Sequence, residues 1–137
     1  MLKIVLLFLM LFFVSSAFAQ EVLLITNKGN EVKSVSLTEL KQIFIGEKQH
    51  WPDGAAIGVA VNFEDKKLIR GFAKMISMEP SAYSNAWIKM TLSGISPPPY
   101  SSRDDKDTIE YVKKKKGNIG FINTSSKSEE VSIVEVK

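Results

Sequence analysis

The sequence predicts a single α/β domain with helices packed on a small mixed sheet. Short apolar segments with the character of strands lie near both ends of the domain, at Val22–Thr26 and 131–136. Segments with helical spacing of apolar residues occupy most of the chain between them. The predicted element order is β-α-β-α-α-α-β-β, which is typical of α/β domains.

Residues 1–19 have the three parts of a secretory signal peptide. Lys3 gives a positively charged start, an apolar run covers residues 4–14, and Ala17-Phe18-Ala19 matches the small-residue pattern before a cleavage site. The apolar run is shorter than the roughly 20 residues that a membrane-spanning helix needs. We therefore expect cleavage between Ala19 and Gln20, release into the periplasm, and a domain formed by residues 20–137.

The composition excludes several classes of function. The chain has no cysteine, which removes disulfides, thiol chemistry and a lipid-accepting N-terminal cysteine. A formal net charge of +3 is too weak to indicate nucleic-acid binding. His50 is the only histidine, so a multi-histidine metal site is impossible, and no acid–base or nucleophile set stands out. We expect a protein that is not an enzyme and has no cofactor.

The first elements after the signal peptide are a strand and a capped helix. The strand Val22–Thr26 ends at a turn over residues 27–30. Ser36 and Glu39 form a capping box, which predicts a helix start. The predicted buried face of this helix contains Leu37, Leu40, Ile43 and Phe44, and Gly46 ends the helix.

The middle of the chain predicts a strand and two helices. Apolar residues alternate from Ile57 to Phe63, as in a strand with one buried face. Helical spacing follows at Leu68, Ile69, Phe72, Met75 and Ile76. Pro80 suits the first turn of the next helix, whose predicted face is Tyr83, Ala86, Trp87 and Met90.

The last third predicts one helix and two strands. The helix is expected over residues 103–116, with Ser102 as its cap, acidic residues at its start and lysines at its end, in accord with the helix dipole. Gly117 ends this helix. Strands are expected at 119–122 and 131–136.

The loop at residues 62–67, which joins a predicted strand to a helix, is the candidate binding site. Ligands of open α/β sheets bind beyond the carboxyl ends of strands, and helix N-terminal amides attract anions. The candidate ligand-binding residues are Asn62, Lys66, Lys67 and Arg70. Glu64 and Asp65 place negative charge in the same loop, which favours an ordinary capped helix start over an anion site.

A series of short motifs along residues 22–122 resembles the phosphate-binding periplasmic proteins of ABC transporters, in a small single-domain branch. The motifs are Ile25-Thr26-Asn27, residues 35–40, Ile43-Phe44-Ile45-Gly46, Trp51-Pro52-Asp53-Gly54, Phe72, Tyr83, Trp87, Ser93-Gly94, Pro97-Pro98, Tyr111-Val112 and residues 117–121. The resemblance implies a single periplasmic-binding-protein-like lobe and phosphate or a similar oxyanion as ligand. Full-length members carry an Arg and a Ser-Gly-Thr turn where this chain has residues 62–67.

Two functions follow as expectations. The first is an exported binding domain similar to phosphate ABC transporter substrate-binding proteins, which binds phosphate or a similar oxyanion. The alternative is a non-enzymatic interaction module of the cell envelope, which pairs with itself or with a transporter or other envelope protein.

Overall fold

The computed structural model describes residues 21–137, so the signal peptide predicted at 1–19 lies outside the described residues. The elements are β1 Val22–Thr26, β2 Ser34–Val35, α1 Leu37–Phe44, β3 Gly58–Val61, α2 Lys66–Met75, α3 Pro80–Leu92, β4 Tyr100–Ser101, α4 Asp105–Lys114, β5 Asn118–Asn123, a 3₁₀ turn Thr124–Ser126 and β6 Ser132–Val136. Within this part of the chain, no helix has the length and apolarity to cross a membrane.

The six strands form one mixed sheet in the order β2-β6-β1-β5-β3-β4. Strand β1 runs antiparallel to both of its neighbours, β5 and β6. Strand β3 runs parallel to β4 and β5. The carboxyl ends of β4, β3 and β5 therefore meet at one edge of the sheet, and the loops that follow them are neighbours in space.

Alternating side chains of the central strands divide the core between the two faces of the sheet. On one face, Phe72 of α2 stacks on Phe121 of β5 with ring centroids 4.0 Å apart, and Phe44 of α1 lies 4.6 Å from Phe72. On the other face, α4 packs against Ile25 and Ile122. This arrangement confirms the predicted fold class, a small mixed sheet flanked by helices.

The predicted strand around β3 is correct in place but wrong in extent and burial. The observed strand β3 has only four residues. Val59, Ala60 and Val61 are all buried, so both faces of this strand are covered. The parallel neighbours and the helices on both sides of the sheet produce this burial. The two edge strands of the sheet, β2 and β4, were not predicted, because strands of two residues leave no periodic pattern in the sequence.

The helix starts show one correct cap and one wrong cap. Ser36 Oγ accepts a hydrogen bond from the Glu39 amide at 3.0 Å, as the capping box predicts, although Glu39 forms its ion pair with Lys48. The cap of α4 is Asp104 and not Ser102. Ser102 is buried, and its hydroxyl lies 2.7 Å from that of Thr108.

The buried face predicted for α1 holds at three of its four positions. Leu40, Ile43 and Phe44 are buried, whereas Leu37 is 37% exposed. Leu37 is the first residue of the helix and lies beyond the edge of the core that the other three side chains fill.

Candidate functional site

Three loops at the carboxyl edge of the parallel strands enclose a polar cleft of about 540 Å³, which we call the carboxyl-edge cleft. Asn62 follows β3, residues 102–104 follow β4, and Asn123 ends β5. The lining residues are Asn62, Glu64, Asp65, Arg103, Asp104, Asp105, Lys106, Asn123 and Ser126. This is the position at which open α/β sheets bind ligands.

The N-terminus of α2 is closed by side chains of its own loop. Asn62 is buried, and its Oδ1 accepts hydrogen bonds from the amides of Glu64 at 3.1 Å and Asp65 at 3.3 Å. Asp65 then caps the helix by accepting from the Leu68 amide at 3.1 Å. These three amides are therefore already hydrogen-bonded within the protein. The ordinary capped helix start, which the sequence favours, describes this loop.

The N-terminus of α4 is closed in the same way and is joined to the end of β5. Asp104 accepts from the Asp107 amide at 2.8 Å. Asp105 Oδ2 accepts three hydrogen bonds, from the amide and the side-chain nitrogen of Asn123 and from Ser126 Oγ. The Asn123 side chain also donates to Asp65 Oδ2 at 3.1 Å, which connects the starts of α2 and α4.

The charge of the carboxyl-edge cleft is unfavourable for a bound anion. Its lining has four carboxylates, on Glu64, Asp65, Asp104 and Asp105, and two cations, on Arg103 and Lys106. An anion placed there would lie beside carboxylates and would meet helix amides that are already occupied. The carboxylates and amides of the cleft bond one another in a network that holds the three loops together.

The predicted cations lie outside the cleft, on the exposed side of α2. Lys66 and Arg70 line a separate hollow of about 330 Å³ between α2 and α3, which we call the α2–α3 hollow. Its other lining residues are Phe63, Ile69, Pro80, Ser81 and Ser84. Lys66 Nζ donates to the Phe63 carbonyl at 3.0 Å, and Lys67 Nζ lies 3.6 Å from Glu21 Oε2. The structure thus brings Lys66 and Arg70 together and separates both from the cleft that Asn62 lines.

The two tryptophans pack in the interior. Trp51 Nε1 donates to the Gly117 carbonyl at 2.9 Å, and Trp87 Nε1 donates to the Tyr83 hydroxyl at 2.8 Å. Burial raises the pKa of Tyr83 far above its ordinary value. His50 is exposed. Among residues 21–137 no group of three or more His, Asp or Glu side chains is placed to hold a metal ion.

Sequence reasoning missed the roles of Asn123 and Asp105 in the cleft. Asn123 follows an apolar strand, and Asp105 lies in an acidic run that helix-dipole arguments already explain. Only the parallel pairing of β3 with β5, a contact between distant parts of the chain, brings these residues beside Asn62 and Asp65. No local pattern reports that pairing.

The mixed six-stranded sheet with its flanking helices is a periplasmic-binding-protein-like fold. No family model and no curated protein matches the sequence. The chain is similar in structure to phosphate-transport receptors. A Clostridium perfringens protein described as a phosphate ABC transporter substrate-binding protein, solved with bound phosphate, aligns over 85% of this chain and 44% of its own length, with TM-score 0.65 and 24% identity.

Two further solved structures align over the same share of the chain. An ABC-type phosphate transport receptor from Vibrio cholerae has TM-score 0.67 and 13% identity, with 46% of its length covered. PstS from Borrelia burgdorferi has TM-score 0.57 and 16% identity, with 47% covered. The chain therefore spans less than half the length of these structures, and the similarity establishes the fold.

Proposed function

We propose that this chain is a non-enzymatic binding domain of the periplasm that recognises phosphate or a similar oxyanion through the cations of α2. The observation that carries the proposal is the α2–α3 hollow, which Lys66 and Arg70 line without any carboxylate. The similarity of the fold to phosphate-transport receptors supports an oxyanion as the ligand class.

The four residues predicted for the site have different roles in this proposal. Lys66 and Arg70 bind the anion, because among residues 21–137 neither forms an ion pair. Lys67 adds positive charge at the rim, since its contact with Glu21 is exposed and weak. Asn62 holds the loop that begins α2. Exposed cations hold a free anion weakly, so we expect dissociation constants on the order of millimolar or higher.

Calorimetry of the exported protein with phosphate and with sulfate tests the proposal. We expect saturable heat at millimolar ligand, and about two- to thirtyfold weaker binding in the Lys66→Gln/Arg70→Gln double variant, because each exposed charge pair contributes about 0.2–1 kcal/mol. Lys114→Gln is the matched control, since Lys114 is an exposed cation on another helix. Absence of heat at millimolar ligand would contradict oxyanion binding.

A second candidate function is an interaction module of the cell envelope, with a transporter protein, another envelope protein or a second copy as partner. The carboxylates of Asp65 and Asp104 favour it, because they close the helix N-termini at the position where this fold class binds ligands. Size-exclusion chromatography with light scattering, followed by retrieval of partners from envelope extract, tests it. A strict monomer that retrieves no protein would count against this function.

The periplasmic location is part of the same proposal and depends on the predicted signal peptide. Cleavage should leave Gln20 as the first residue. Mass determination of the protein in the periplasmic fraction checks this, and a product that retains residues 1–19 would contradict it.

A further inference from the structure

A cavity of about 530 Å³, which we call the apolar groove, lies between α3, Phe63 and residues 98–101. It is lined by Phe63, Ser84, Trp87, Ile88, Thr91, Leu92, Pro98, Pro99 and Ser101. None of these side chains is charged. Volumes of 300–1,000 Å³ with mainly apolar walls and a few hydroxyl groups are typical of sites for small organic ligands.

Helix α3 exposes aliphatic side chains that packing does not explain. Tyr83 and Trp87 point into the core, whereas Ile88 is 57% exposed and Leu92 is 83% exposed. A surface helix of a globular domain normally presents polar residues on its outer side. Contiguous apolar surface of this kind usually marks a binding site.

The apolar groove adjoins the α2–α3 hollow. Phe63 and Ser84 line both, so they form the boundary between a cationic end and an apolar end. Across the two linings, Lys66 and Arg70 are the charged residues, and no carboxylate contributes. The combined surface is complementary in charge and polarity to a molecule with an anionic group at one end.

Three cations on α2, Lys66, Arg70 and Lys74, form no ion pair among the described residues. Lys66, Arg70 and Lys74 follow one another at a spacing of four residues, which places like charges side by side on the helix. Lys66 also stands in the first turn, where positive charge opposes the helix dipole. Local choices that cost stability are expected at functional sites.

We propose that the α2–α3 hollow and the apolar groove form one site for an anionic amphiphile. Its phosphate or carboxylate group contacts Lys66 and Arg70, and its alkyl or aromatic body lies in the groove beside Trp87 and Leu92. This inference rests on the proposed oxyanion recognition by Lys66 and Arg70 and adds that the oxyanion belongs to a larger, apolar ligand.

Calorimetry with a chain-length series tests the inference on the exported protein. The probes are inorganic phosphate, butyl, hexyl and octyl phosphate below their micelle concentrations, and octanol. Each buried methylene should raise affinity about fourfold until the groove is filled. Lys66→Gln/Arg70→Gln should weaken every phosphate probe, and Lys114→Gln should weaken none.

A blocking variant separates the apolar end from the cationic end. Thr91→Phe places a ring in the apolar groove at a residue that does not line the α2–α3 hollow, so the chain-length dependence should vanish while inorganic phosphate binds as before. Leu92→Gln should lower the affinity for octyl phosphate alone. Because Leu92 is 83% exposed, this second variant keeps the folded core intact.

The outcomes distinguish this inference from the proposed function. Equal affinity for phosphate and octyl phosphate would overturn the inference and leave oxyanion binding standing, whereas no binding of any probe would remove both. Octanol binding as tightly as octyl phosphate would overturn the role of the cations. A concentration-dependent dimer that Leu92→Gln abolishes would show that a second copy occupies the groove, which would also overturn the inference.

Discussion

Replacing Asp105 with alanine should destabilise the domain more than any other single change in the carboxyl-edge cleft. Its Oδ2 accepts hydrogen bonds at 3.1 and 3.0 Å from Asn123 and at 2.6 Å from Ser126. Hydrogen bonds to a charged group each contribute about 1.5–3 kcal/mol, but bonds to one atom are not additive. We therefore expect a loss of about 3 kcal/mol in the free energy of unfolding.

Urea unfolding followed by circular dichroism measures this loss as a lower midpoint at an unchanged slope. The matched control is Asp104→Ala. It removes only the cap bond to the Asp107 amide, so it should cost about 1 kcal/mol. The structural interpretation of the cleft would be refuted if Asp105→Ala were no more destabilising than Asp104→Ala.

Three further predictions concern packing and charge. Phe72→Ala removes the ring stacked on Phe121 and should cost about 3–5 kcal/mol in thermal unfolding. Gly117→Ala would drive a methyl group into the Ala56 carbonyl, and urea unfolding should show a loss of about 1–3 kcal/mol. The Arg103 amide, followed by the Tyr100 hydroxyl, lowers the pKa of Asp107. A lowered pKa stabilises the folded state above the ordinary Asp pKa of about 3.9 and loses this effect as the pH falls through the lowered value. Asp107→Asn should therefore reduce stability at pH 7 and make little difference near pH 2, and an equal effect at both pH values would contradict this cause.

Local patterns predicted the elements that depend on local contacts. The capping box at Ser36 and the apolar spacing of α2 and α3 were sufficient because a helix satisfies its own backbone. Ser102 failed as a cap because Asp104, two residues later, has the same capping chemistry. Burial of Ser102 against Thr108, a tertiary contact, decides between the two.

The candidate site was predicted in part. Lys66 and Arg70 lie four residues apart and so share one face of α2, which the sequence does indicate. The sequence does not indicate that this face turns toward α3 and away from the cleft. That direction depends on Leu68, Ile69 and Phe72 packing against the sheet, and on β5 bringing Asn123 beside Asp65.

The most direct test of oxyanion recognition by α2 is a phosphate titration of the isotope-labelled protein, followed by NMR. Our account predicts saturable shifts of the amides around the α2–α3 hollow, including Ser81 and Ser84, with amides of the carboxyl-edge cleft such as Asp104 and Ser126 unchanged. Shifts confined to Asp104 and Ser126 would contradict it, because the anion would then lie among the carboxylates of the cleft.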